Sequence, residues 1–364
     1  MKKSFLIAAC LMLCALQMQA QGWKEKSYTF TEASDLTLLG KVFQDTPNPY
    51  QRMDFQKYSG CWTKGDSTLL AMSAGLFVTF RTDSPTITVR TQFIEKSNSP
   101  ASAFATRGYD LYIKKDGGWR WAGNCAAPWG TGLEAFSLVV ENMDDSMKEC
   151  LMYLPTFSSE KSILIGVEEG SRIEKGENPF RHRICLHGSS FMHGANATRG
   201  GQTVPAYLAR MTGLEFCGLG VSGDCQMQPQ FANALKDADV EAFVFDAFSN
   251  PSAETIEERL FPFIETIQAA KPGVPLIFLS SIYRERRNFD LKVAAREEAK
   301  AEMAEKMIKL AMKKYKDVYF VKSNASFANE TSADGIHPGD QGYYIWAESV
   351  RKPIVRILKK YGIR

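Results

Sequence analysis

In the second half of the 364-residue chain, short apolar runs alternate with longer stretches of helical period. Residues 184–186, 214–219, 242–248, 274–279 and 318–321 read as strands, and 204–211, 255–270, 291–314 and 342–361 as helices. Strands separated by helices are joined by crossovers, which make neighbouring strands parallel. The expected fold of this half is an α/β, doubly wound, five-stranded parallel sheet. Ligands bind beyond the carboxyl ends of such strands, so the segments that follow them are where chemistry is expected.

Upstream the period shortens to two, in runs at 70–81, 86–93, 109–114, 136–140 and 162–167. Asp116-Gly117 between two such runs is a hairpin signal, and strands of this kind pack as a β-sandwich or jelly roll. Residues 170–179 are polar and rich in turn formers, as in a linker. The expected division is a leader at 1–20, a β-sandwich domain at 21–178 and the α/β domain at 179–364.

The leader has the three parts of a secretory signal: Lys2 and Lys3, an apolar run at 5–16, and a polar stretch closing on Ala20. An exported protein, periplasmic or extracellular, is expected. Cys10 offers a lipoprotein anchor as the lesser alternative, since only six residues separate it from Lys3. The run of about 12 residues is too short to span a bilayer, and no transmembrane segment is expected. Without Lys2 and Lys3 the formal charge of +3 falls to about +1, which leaves no basic field for nucleic acid. Of eight cysteines, six follow the leader, with no zinc-type spacing. Each is expected first as a small buried apolar residue, and if one pair is bridged it is Cys217 and Cys225, which straddle a glycine-rich turn.

The segments after the strands carry Gly188-Ser189-Ser190, Gly220-Val221-Ser222-Gly223-Asp224, Ser249-Asn250 and Asp334-Gly335-Ile336-His337-Pro338. A serine hydroxyl needs an imidazole to take its proton, and the imidazole needs a carboxylate to fix its tautomer. Ser190, His337 and Asp334 fill these roles. The backbone N–H groups of Ser190 and Gly223 and the amide of Asn250 are expected to form the oxyanion hole. Nothing in this chemistry calls for a cofactor or a metal. His193, Tyr283 and Arg284 stand near the same edge as candidate substrate contacts. Ser222 sits in a near match to a nucleophile elbow, but Asp224 occupies the last glycine position, and it reads as a turn residue.

These four blocks resemble, in order and spacing, those of the SGNH (GDSL-like) hydrolases over residues 183 to 355. That resemblance implies a flavodoxin-like fold and an esterase with Ser190 as nucleophile. The third block, Asp246-Ala247-Phe248-Ser249-Asn250, departs from the commoner Gly-x-Asn-Asp form. Upstream, Gly108-Tyr109-Asp110-Leu111-Tyr112 resembles the Gly-x-Asp-Leu-Tyr signature of the β-sandwich that precedes one SGNH subgroup. The implied activity is removal of an acyl group, above all acetyl, from a carbohydrate or small-molecule ester. Trp119, Trp121 and Trp129 offer faces for sugar rings. The alternatives are a lipase or thioesterase of the same fold, or a carbohydrate-binding protein without catalysis. Oligomeric state is not legible.

Overall fold

The computed structural model describes residues 26–58, 63–97, 101–128, 130 and 132–364. The expected leader, Cys61 and Trp129 lie outside the described residues. The first ten strands are β1 (Tyr28–Glu32), β2 (Thr37–Leu39), β3 (Phe77–Thr82), β4 (Ile87–Glu95), β5 (Gly108–Lys115), β6 (Gly118–Ala126), β7 (Glu134–Val140), β8 (Lys148–Tyr153), β9 (Ser159–Glu168) and β10 (Ile173–Lys175). They pair antiparallel in two sheets, β1-β9-β4-β7 and β10-β3-β8-β5-β6, with β2 on β3. Ile87, Val89, Ile163 and Ile165 of the first sheet share one core with Val78, Phe80, Leu111 and Met152 of the second. Two sheets closing on a common apolar layer make a β-sandwich.

Two readings of this half are corrected. The run at 70–81 is not one strand, because its start belongs to a helix, Lys64–Ala71. Thr63 and Asp66 cap that helix reciprocally, and the strand begins only at Phe77. The polar stretch at 170–179 is not all linker, because β10 within it pairs with β3, Ile173 opposite Thr82.

The second half forms β11 (Arg181–Gly188), β12 (Leu214–Gly220), β13 (Ala242–Asp246), β14 (Leu276–Leu279) and β15 (Val318–Val321). All are parallel, in the order β12-β11-β13-β14-β15. Helices Val204–Thr212 and Asp340–Leu358 pack Val204, Leu208, Trp346 and Val350 on the face bearing Ile184 and Leu186. Helices Pro229–Leu235, Ala253–Ala270 and Leu291–Lys314 pack Phe231, Leu260 and Ile308 on the face bearing Cys185 and Phe243. Each strand is apolar on both faces because both are covered. The chain leaves β11 to one side for β12 and returns to the other for β13. This reversal opens a crevice at the carboxyl ends of β11 and β13.

Asp110 of β5 joins the two halves. Its buried carboxylate accepts from Trp121 Nε1 at 3.0 Å, from Arg199 Nη1 at 2.8 Å and from the Gly201 N–H at 2.9 Å. The Gly-x-Asp-Leu-Tyr segment thus holds the loop that follows the first α/β crossover turn. Cys217 and Cys225, the pair named should one be bridged, are free, and both are buried like small apolar residues, as are Cys125, Cys150 and Cys185. Cys217 is an interior strand residue facing Glu215, whereas Cys225 turns to His187 Nε2 at 3.5 Å.

Candidate active site

Sheet register brings Gly188, Gly220 and Asp246 abreast at the carboxyl edge. Ser189 then caps a single helical turn, Ser190–His193, its Oγ accepting from the Phe191 N–H. This turn sits directly on Gly220, where a Cβ would lie 2.0 Å from the His193 nitrogen, so the close approach requires glycine. Ser190 is the first residue of the turn, and its N–H therefore lies outside the helical ladder.

The loop carrying His337 is closed by a bridge between Ser332 and Pro338. Asp334 Oδ1 accepts from the N–H groups of Ile336 at 2.9 Å and His337 at 2.7 Å, and its Oδ2 lies 2.8 Å from His337 Nδ1. A carboxylate only accepts, so Nδ1 carries the proton and Nε2 presents its lone pair. Nε2 is 2.9 Å from Ser190 Oγ. Burial would raise the Asp334 carboxyl, but hydrogen bonds from His337 and Ile336 outweigh it and hold the group below the usual carboxylate range. The arrangement can move a proton from the hydroxyl to the imidazole while Asp334 stabilises the resulting cation.

Gly223 lies exposed in the turn after β12, with φ of +80°. Asn250 Oδ1 accepts from the Cys225 N–H at 3.2 Å, which commits the carbonyl end of the amide and leaves the Nδ2 end to donate. The structure thereby ties the third block to the second.

Sequence reasoning gave no role to Asp246 and Arg52, which hold these blocks, or to Asp66, which lies against the second. Asp246, wholly buried, accepts from Ser189 N–H at 3.1 Å and Ser189 Oγ at 2.6 Å, and also from Ser249 Oγ. Its place at the end of β13 was a readable signal. Replacing Asp246 with alanine would strand three buried donors, and at about 1–3 kcal/mol each a loss of at least about 3 kcal/mol of stability is expected. Denaturant unfolding checks this, with Asp246→Asn expected to be milder.

Arg52, from the N-terminal half, is also fully buried. It donates to the carbonyls of Met72 at 2.9 Å, Leu69 at 2.6 Å and Gly220 at 2.7 Å, the last immediately before the Gly223 turn. Asp66 is buried too, and its Oδ1 has no hydrogen-bond partner. It faces Asp224. Burial and this second carboxyl push Asp224 up to about 6. A carboxyl raised above its unfolded value of about 3.9 favours the fold below that value, and the benefit is lost as pH rises through 6. Asp224→Asn is therefore expected to raise the melting temperature at pH 7.5 and to leave it little changed at pH 4, as read by thermal unfolding at both values.

Of the expected substrate contacts, one is corrected and one is found in the wall of a cavity beside Asn250. His193 is buried, its Nε2 2.8 Å from the Thr156 carbonyl and its ring stacked on Phe157 at 4.3 Å. It lies beneath the sandwich instead of facing a ligand, and burial keeps it neutral, well below the usual histidine range. Arg284 also turns inward, donating to the Ser249 carbonyl and pairing with Glu297 at 3.2 Å. Tyr283 remains half-buried, its hydroxyl on Asn288. Among the described residues no three His, Cys, Asp or Glu side chains gather as a metal set.

Residues 181–356 match the GDSL-like lipase/acylhydrolase family, and residues 27–173 match the N-terminus of SGNH-hydrolase-type esterases. Among solved structures, a protein described as a GDSL-like lipase from Bacteroides ovatus is 35% identical, with a TM-score of 0.87 over 92% of this chain and 98% of that one. The salicylyl-acyltransferase SsfX3 of a tetracycline biosynthetic pathway is 22% identical, with a TM-score of 0.69 over 94% of this chain and 100% of that one. An acetyl xylan esterase from the rumen bacterium Butyrivibrio proteoclasticus is 11% identical, with a TM-score of 0.53 over 91% and 99%. The last two are likenesses of fold. No curated protein matches the sequence significantly.

Proposed function

The chain belongs to the GDSL-like lipase/acylhydrolase family and is a carboxylic ester hydrolase, and we propose that it is exported and removes acetyl groups from a carbohydrate by a serine mechanism. The observation that carries the mechanism is the unbroken run from Ser190 Oγ through His337 to Asp334, with spacings of 2.9 and 2.8 Å. His337 Nε2 takes the Ser190 proton as Oγ attacks the ester carbonyl carbon. The tetrahedral oxyanion is held by the N–H groups of Ser190 and Gly223 and by Asn250 Nδ2, each such donor being worth about 3 kcal/mol. Collapse expels the sugar hydroxyl, which leaves with the proton from His337. Water, activated by the same imidazole, then frees acetate from Ser190.

The substrate class is supported by the likeness of the whole two-part plan to an acetyl xylan esterase, an argument at the level of fold. Trp121 adds to it as a residue 53% exposed on β6, with one ring face under the Arg199 guanidinium and the other left for a sugar. The test is acetate release from acetylated xylo- and cello-oligosaccharides beside turnover of 4-nitrophenyl palmitate. Preference for the acetylated sugars is expected. Comparable or faster cleavage of the long-chain ester makes the protein a lipase.

A further inference from the structure

Beside Asn250 lies a cavity of about 210 Å³ whose wall carries three cations, Arg284, Arg296 and Lys300, against one carboxylate, Glu297. Glu297 is shared by all three: Lys300 Nζ is 2.5 Å from it, Arg284 Nη1 3.2 Å and Arg296 Nη2 3.5 Å. Lys300 and Arg284 also converge on the Ser249 carbonyl. The wall thus retains two positive charges more than its carboxylate balances. Asp246 and Asp334 also act on Arg284, but neither lines the cavity. The Arg284 side chain is nine-tenths buried, and its Nε has no hydrogen-bond acceptor. Ser252, on the same wall, is the N-cap of the 18-residue helix Ala253–Ala270, whose first turn carries Glu254.

Lys300 is pushed down to about 8, first by burial and then by Arg284 and Arg296, with Glu297 opposing. Arg284 and Lys300 are buried together with one carboxylate, Glu297, between them, and an anion beside them relieves the cost of the charge left over. The space is large enough for one tetrahedral oxyanion with residual solvent.

We infer that this cavity binds a single oxyanion group: a carboxylate, sulfate or phosphate. Asn250 belongs both to the cavity wall and to the proposed oxyanion hole. An anion seated here therefore adjoins the position where the acyl group reacts, which suits an acidic substituent of the substrate or a free inorganic anion. The binding stands independently of the esterase reading, whereas any effect on turnover rests on it.

The test is calorimetric titration of the full chain with sodium sulfate against a chloride background of constant ionic strength. One saturable site is expected, weakened about tenfold or more in Arg296→Gln and in Lys300→Met by loss of a charged hydrogen-bond partner. The Arg296 side chain is 61% exposed, so that variant reports on binding even if Lys300→Met fails to fold. Sulfate heats indistinguishable from chloride, or an affinity unchanged in Arg296→Gln, would overturn the inference. Turnover then separates the sources. Competition by sulfate only against an acetylated uronic acid assigns the site to the substrate's acidic group. An equal effect on that ester and on acetylated glucose assigns it to a free anion, and either supports the site.

Discussion

Ser190→Ala is expected to lower kcat/KM for 4-nitrophenyl acetate by roughly 10⁴- to 10⁶-fold while the protein stays folded. At 1.36 kcal/mol per decade this is about 5–8 kcal/mol of transition-state stabilisation, far more than the hydroxyl contributes to packing. The folded state loses one hydrogen bond, to His337, worth about 1 kcal/mol. The cap on the helical turn belongs to Ser189 and survives the change. Steady-state kinetics beside a denaturant melt separate these effects. Turnover within tenfold of wild type would move the nucleophile elsewhere, with Ser222 the next serine on the same edge.

His337→Ala is expected to be as severe as the serine change, because nucleophile and base act as one unit whose losses do not add. Asp334→Asn is expected to cost about 10⁴-fold by a different route. Its amide would present N–H₂ to Nδ1, driving the ring proton to Nε2, where it blocks acceptance of the Ser190 proton. Because hydrogen bonds from His337 and Ile336 hold Asp334 below the usual carboxylate range, it stays ionised in mild acid. A loss of kcat/KM in mild acid is therefore not a loss of the Asp334 charge.

The α/β half was legible because every strand of its sheet is covered on both faces, which makes apolar runs such as 242–248 stand out between amphipathic helices. The candidate site was legible for the same reason. Once strand ends are located, Ser190, Gly223, Asn250 and the Asp334–His337 pair fall on one edge. Side-chain direction was not legible. His193 and Arg284 stand on that edge in the backbone, yet the first turns under the sandwich and the second into the cavity beside Asn250. Nor were the long-range ties. Arg52 reaches a carbonyl 168 residues away and Asp110 an arginine 89 away, and nothing local marks either partner. Helix Lys64–Ala71 did carry a local signal, the Thr63–Asp66 capping pair, masked by the apolar residues beside it.

The proposed nucleophile is Ser190, activated by His337. Intact-mass spectrometry after treatment with a serine-directed fluorophosphonate tests it most directly. A single phosphonyl adduct per chain is expected, mapped by peptide sequencing to Ser190, absent in Ser190→Ala and strongly slowed in His337→Ala. An adduct mapping to Ser222 or any other serine, or labelling that persists undiminished in Ser190→Ala, would contradict it.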